Sequence, residues 1–186
     1  MKDELGAFLK LGERDRSIFD AAHTEKRRSQ QESGSLILVF GSLADQMSTE
    51  LARRSGGTIV DLESLSELAE EDPTEDGEAF LAMQQAGGLP TMKVVLPLLL
   101  QARAARTGPF FLNGYPRVAS QLKKLEDVAG RLSIGILAGV ANGSSDAQLA
   151  THMERTGTAL HEVSSCEKAD VDGALAALRV KGIEVP

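Results

Sequence analysis

The chain has 186 residues, which suits one α/β domain with a sizeable core and leaves little room for a second. Hydrophobic residues make up 42% and aromatics 4%, with no Trp and one Tyr, so the core must be built mostly from Leu, Val, Ile and Ala. A formal charge of −7 and a pI near 5.0 argue against a general nucleic-acid binder, which shows a basic face to phosphates, while one or two arginines still suffice for a small phosphate site.

Residues 1–33 are polar and charged, with apolar positions at Leu5, Phe8, Leu9, Leu11, Ile18 and Phe19 that predict an amphipathic docking helix. Glu25 to Gly34 reads as a linker, and Lys26, Arg27 and Arg28 as a solvated face within it. The pattern changes after Gly34, and residues 34–186 read as the domain. Leu36 to Phe40 is a continuous apolar run between glycines, the signature of a strand buried on both faces. A helix follows over about 45–54, then a strand at Thr58 to Val60 and a strongly acidic stretch. Further helices are expected over 76–86 and 91–106, a strand over 109–112 and a helix over 117–129. The last expected elements are a strand over 134–137, a helix over 145–155, a strand over 159–163 and a helix over 170–181. Five strands alternating with helices predict a parallel sheet in a doubly wound three-layer α/β/α sandwich. Ligands of such sheets sit at the carboxyl ends of the strands, which directs attention to the loop after the first strand.

The single cysteine, Cys166, excludes an internal disulfide and reads as a residue of a reducing compartment. The N-terminus shows no apolar signal core, and the longest apolar stretch, Val94 to Leu100, is short and carries Pro97. A soluble cytoplasmic protein with no membrane contact is expected. His23, His152 and His161 have no metal-ligand spacing, so no metal site is expected. Glu167, Asp170 and Asp172 stand at the start of the last helix, where carboxylates suit the helix dipole.

A phosphate-binding loop reads G-x-x-x-x-G-K-[ST] between a strand and a helix, and its glycines let backbone N–H groups curl around phosphate oxygens. The corresponding segment here is Gly41-Ser42-Leu43-Ala44-Asp45-Gln46-Met47-Ser48-Thr49. Gly41 and Thr49 stand at the ends of the motif, Gln46 replaces the second glycine, Met47 replaces the lysine, and Asp45 brings a carboxylate. By local chemistry this is a plain strand-to-helix turn with Ser or Asp as the cap.

Leu112-Asn113-Gly114-Tyr115-Pro116-Arg117, with Gln121 four residues on, resembles the adenylate kinase signature DGYPRxxxQ. The order of elements from about residue 35 to 181 is similar to that family as well. The resemblance implies a phosphate loop, a monophosphate arm and a lid on a parallel sheet, and would make the Tyr115–Pro116 peptide cis. It makes Arg117 the arginine that holds AMP phosphate and Gln121 the glutamine that reads adenine. The other matched positions are changed. Asn113 stands for the aspartate that orients Mg²⁺-bound water, Met47 for the phosphate-binding lysine, Glu67 for an arginine on AMP phosphate and Leu62 for a threonine of the arm. The long lid is missing, because Val140 to Thr158 has room for one helix and two turns. Thr151 takes the place of one lid arginine, and Arg155 is either a second one at the lid base or a surface residue.

Phosphoryl transfer is catalysed by positioning and charge stabilisation, and each cationic clamp is worth powers of ten in rate. A chain without the lysine, the lid arginines and the aspartate should be many orders of magnitude slower. Asp61 to Glu78 also carries nine carboxylates and no Lys or Arg, on the arm that would cover an anion. The expectation is a catalytically degenerate adenylate-kinase-like domain with no cofactor, serving as an interaction or scaffolding module for a protein partner. The acidic stretch reads either as a solvated helix and loop or as a docking face for a basic partner. The alternative is a nucleotide-binding protein or a nucleoside-monophosphate kinase using ATP, AMP and Mg²⁺, with Gly41, Thr49, Arg117 and Gln121 as a residual AMP or ADP site. It would need a replacement cation, for which Arg53, Arg54, Arg103 and Arg106 are the candidates by sequence.

Overall fold

Strand β1, Leu36–Phe40, forms where the apolar run lies between glycines, and all five residues are buried. The computed structural model describes residues 34–185. The expected extension over 1–33, with its amphipathic helix, His23 and the Lys26 to Arg28 cluster, lies outside the described residues. Four more strands follow: β2, Thr58–Val60; β3, Phe110–Asn113; β4, Ile134–Ala138; and β5, Leu160–Val163. All pairings are parallel, and the order across the sheet is β2-β3-β1-β4-β5.

Seven helices occur among the described residues; the first six supply the crossovers and the last follows β5. They are α1, Ala44–Ser55; α2, Leu62–Glu71; α3, Glu75–Gln85; α4, Met92–Ala105; α5, Ala119–Ala129; α6, Gly143–Thr156; and α7, Lys168–Val180. Six were expected from the sequence; α2 is added, inside the acidic stretch. Its start is well specified. The Asp61 carboxylate accepts from Ser64 N–H at 2.8 Å while the Ser64 hydroxyl accepts from Asp61 N–H at 3.0 Å, a reciprocal capping box. Thr74 caps α3 by accepting from Gly77 N–H at 3.1 Å. Several carboxylates of the stretch therefore sit at helix N-termini, where the dipole favours them: Glu63 on α2, and Glu75, Asp76 and Glu78 on α3.

Alternation along β1 divides the core in two. Leu36, Leu38 and Phe40 join a cluster with Leu65, Phe80, Leu98, Leu122 and Leu149, drawn from α2 to α6. Ile37 and Val39 join Met47 and Leu51 of α1 and Val171, Leu175 and Leu178 of α7. The molecule is thus a three-layer α/β/α sandwich, each buried aliphatic side chain contributing about 1.5–3 kcal/mol. No helix among the described residues is long and apolar enough to cross a membrane.

The strand order reverses at β1. From β1 the chain goes to the β2 edge, returns to β3, and then crosses to β4 and β5 on the other side. The crevice outside the carboxyl ends of β1, β3 and β4 is therefore the switch point at which open α/β sheets take their ligands.

Candidate functional site

The turn between β1 and α1 is only Gly41, Ser42 and Leu43, because the helix already begins at Ala44. Ser42 N–H donates to Val140 O at 2.9 Å, Leu43 N–H to Ala138 O at 3.0 Å and Ala44 N–H to Gly41 O at 3.2 Å. The Ser42 hydroxyl also accepts from Val140 N–H at 3.0 Å. Amides that would face an anion in a phosphate loop are thus bonded to the end of β4 and to the turn itself. Two glycines permit the approach. Gly41, at φ 105°, would drive a Cβ into the Ala138 carbonyl, and Gly139, at φ 77°, would drive one into Ser42 and Leu43.

The positions singled out in this segment point different ways. Met47 is fully buried against the β1 and α1 side chains of the second core cluster, so the place matched to the phosphate lysine is a core place. Gln46 is exposed, and Thr49 is exposed with its hydroxyl on Asp45 O at 2.8 Å. Counted from Gly41, the eighth residue is Ser48, one before Thr49. Its side chain is fully buried and its hydroxyl donates to Ala44 O at 2.7 Å.

Asp45, in the first turn of α1, is brought to Asn113 at the end of β3. The Asn113 side-chain amide donates from Nδ2 to Asp45 Oδ1 at 2.8 Å. Arg117 follows the cis Tyr115–Pro116 peptide and is exposed. Its Nε donates to Gly114 O at 2.9 Å, and its backbone N–H donates to Gln121 Oε1 at 2.8 Å. Gln121 is thereby turned toward its own helix start.

Asp45, Asn113 and Arg117 share one cleft, which Gln121 does not line. It has a volume of about 350 Å³ and is lined by the end of β1, the Ser42 and Asp45 side, Asn113, Arg117 and the start of α6 with Asn142, Ser145 and Asp146. Asp146 Oδ2 accepts from Asn142 N–H at 2.6 Å. Asp146 was not singled out in the sequence; an acid four residues after Asn142 at a helix start is the signal that points to it.

The remaining matched positions lie elsewhere. Leu62 packs partly buried against the first core cluster, its carbonyl accepting from the Ser66 hydroxyl at 2.7 Å, and Glu67 is exposed on α2. Thr151 and Arg155 line a separate groove of about 300 Å³ between α5 and α6, with Gln148 and His152. There His152 Nε2 lies 3.2 Å from Glu126 Oε2 and its Nδ1 lies 3.3 Å from Arg155 Nη2. A carboxylate only accepts and a guanidinium only donates, so both contacts are satisfied when Nε2 carries the proton.

None of the four candidate replacement cations lines the cleft. Arg53 pairs with Glu50, and Arg54 with Asp172 of α7. Arg106 is exposed. Arg103 is buried, donating to Ala129 O at 2.7 Å and Gly34 O at 2.9 Å, and burial lowers its pKa from the ordinary value. Burial raises the pKa of the Cys166 thiol, helped by the Asp170 carboxylate, which disfavours a reactive thiolate. No set of three or more His, Cys, Asp or Glu side chains suited to a metal ion occurs among the described residues.

No protein-family model matches the chain, and no curated protein matches it either.

Proposed function

We propose that the chain is a catalytically degenerate adenylate-kinase-like domain that acts as an interaction or scaffolding module and does not transfer phosphate. The observation that carries this reading is the self-bonded turn after β1. A polyphosphate needs backbone N–H groups directed at it and a cation beside them. Here the Ser42, Leu43 and Ala44 amides are committed to protein carbonyls, Met47 is in the core, and Asp45 adds negative charge at the same place. Catalysis of phosphoryl transfer rests almost wholly on such positioning and charge, so their loss removes most of the rate. A cytoplasmic place and a protein partner go with this reading.

A residual AMP or ADP site is the second reading. Its support is Arg117, which lines the cleft and forms no ion pair with a carboxylate among the described residues. Melting the purified chain with ATP, ADP and AMP, with and without Mg²⁺, separates the two. A ligand at 100 times its Kd stabilises by about 2.7 kcal/mol, a rise of several degrees in Tm. The expected result is no rise at millimolar nucleotide and no ADP formation in a coupled assay. A rise with AMP alone, abolished by Arg117→Ala, would establish the second reading. A rise with Mg·ATP together with turnover would refute the first.

A further inference from the structure

Hydrogen-bond polarity gives the cleft a preference of its own. Asn113 is only 7% exposed, yet it lines the cleft. Its Nδ2 donates to Asp45 Oδ1, and because a carboxylate can only accept, the orientation of the amide is fixed. The Asn113 Oδ1 atom is therefore a carbonyl acceptor, and no described residue donates to it. It is not sealed off from solvent either, since the sole sealed, unpartnered side-chain polar atom among the described residues is Tyr115 Oη. A buried residue lining the cleft thus carries a carbonyl acceptor that no described residue bonds.

The neighbouring groups have the same polarity. Asp45 uses Oδ1 for Asn113 and Asp146 uses Oδ2 for Asn142 N–H, which leaves each with an oxygen that no described residue bonds. Of the backbone donors nearby, the Ser42, Leu43, Ala44 and Asn142 N–H groups bond protein oxygens. Two carboxylates against the single guanidinium of Arg117 leave the charged lining net negative.

We propose that this cleft takes a guanidinium group on an alkyl stem, presented as an arginine side chain of a partner protein. A guanidinium has five N–H donors, no acceptor and permanent charge, the complement of two carboxylates and an amide carbonyl. Its fork suits carboxylate oxygens better than an ammonium does. A volume of about 350 Å³ has room for one such side chain. The assignment rests on the reading above, that the cleft no longer holds polyphosphate, and it names what the interaction module recognises.

The test is calorimetric titration of the full chain with N-acetylarginine amide, with agmatine, and with N-acetylcitrulline amide as the neutral isostere. Binding of the arginine amide is expected, weakening with salt, with the citrulline compound at least roughly tenfold weaker. Asp45→Asn and Asp146→Asn, which keep shape and remove charge, should each weaken the arginine amide by roughly tenfold. Their Tm without ligand should stay near that of the unaltered chain. Agmatine bound much more tightly than the arginine amide would overturn the partner side chain and assign the cleft to a small free cation. Equal binding of the citrulline compound, unchanged affinity in both Asp variants, or no binding of either guanidinium would overturn the proposal. In those cases an unchanged Tm at millimolar nucleotide would leave the non-catalytic reading standing. Mg·ATP binding with turnover by the unaltered chain would refute that reading separately.

Discussion

At the scale of single residues, Met47 shows how far a motif position differs from a motif function. A restored lysine there would not meet phosphate, because the side chain at this position enters the core. Met47→Lys is expected to destabilise the fold by about 3 kcal/mol or more, since the ammonium must be desolvated or the helix displaced. Nucleotide affinity should not rise. Denaturant midpoints and an ATP titration of the variant check both statements. Tyr115 offers a cleaner measurement, because it is the only tyrosine in the chain. Its hydroxyl is sealed without a partner, and burial pushes its pKa from the ordinary 10.0 up to about 12. The native state thus resists phenolate formation. The associated stability is complete below pH 10 and is lost as pH rises toward 12, since the unfolded chain ionises first. Phenolate absorbance should titrate near pH 12 in buffer and near pH 10 in denaturant. A native titration at the ordinary value would show the hydroxyl to be solvated.

At the scale of elements, legibility followed locality. Strands β1 and β2 were readable to the residue, because each is a short apolar run with turn residues beside it. Helix α2 was readable only as an unplaced solvated helix in the acidic stretch, because four acids of its own surround its sparse buried positions, Leu65 and Ala69. Its capping box is a four-residue pattern, but with Ser in place of the usual Glu or Gln at the closing position. The contacts that decide the site join distant residues. Asp45 and Asn113 are 68 residues apart, and Ser42 and Val140 are 98 apart. No spacing rule reports such pairs; only the strand order brings them together. Arg103 is a similar case. It looked available as a cation and is instead a tie from α4 to the end of α5 and the lead into β1. Arg103→Leu leaves buried carbonyls without their donor, and a loss of about 2 kcal/mol is expected. Urea unfolding with an unchanged slope would register it; a shift within experimental error would show that water replaces the guanidinium without penalty.

At the scale of the whole molecule, the reversal of strand order at β1 gathers the ends of β1 and β3 and the start of α6 into one cleft. Fold and chemistry part company there. The sandwich follows from apolar periodicity, whereas the polarity of the cleft follows from a handful of side chains that leave the core untouched. The turn after β1 has one more consequence. Three hydrogen bonds join its Ser42 and Leu43 to Val140 and Ala138, so two walls of the cleft are stitched into a single piece. Opening that seam would mean breaking three hydrogen bonds just beyond the end of the β1–β4 pair. Arrival of the proposed arginine side chain would then be one diffusive encounter with a preformed surface, hastened by opposite charge and slowed by salt. Residence time of the proposed arginine would then be set by the contacts made on arrival.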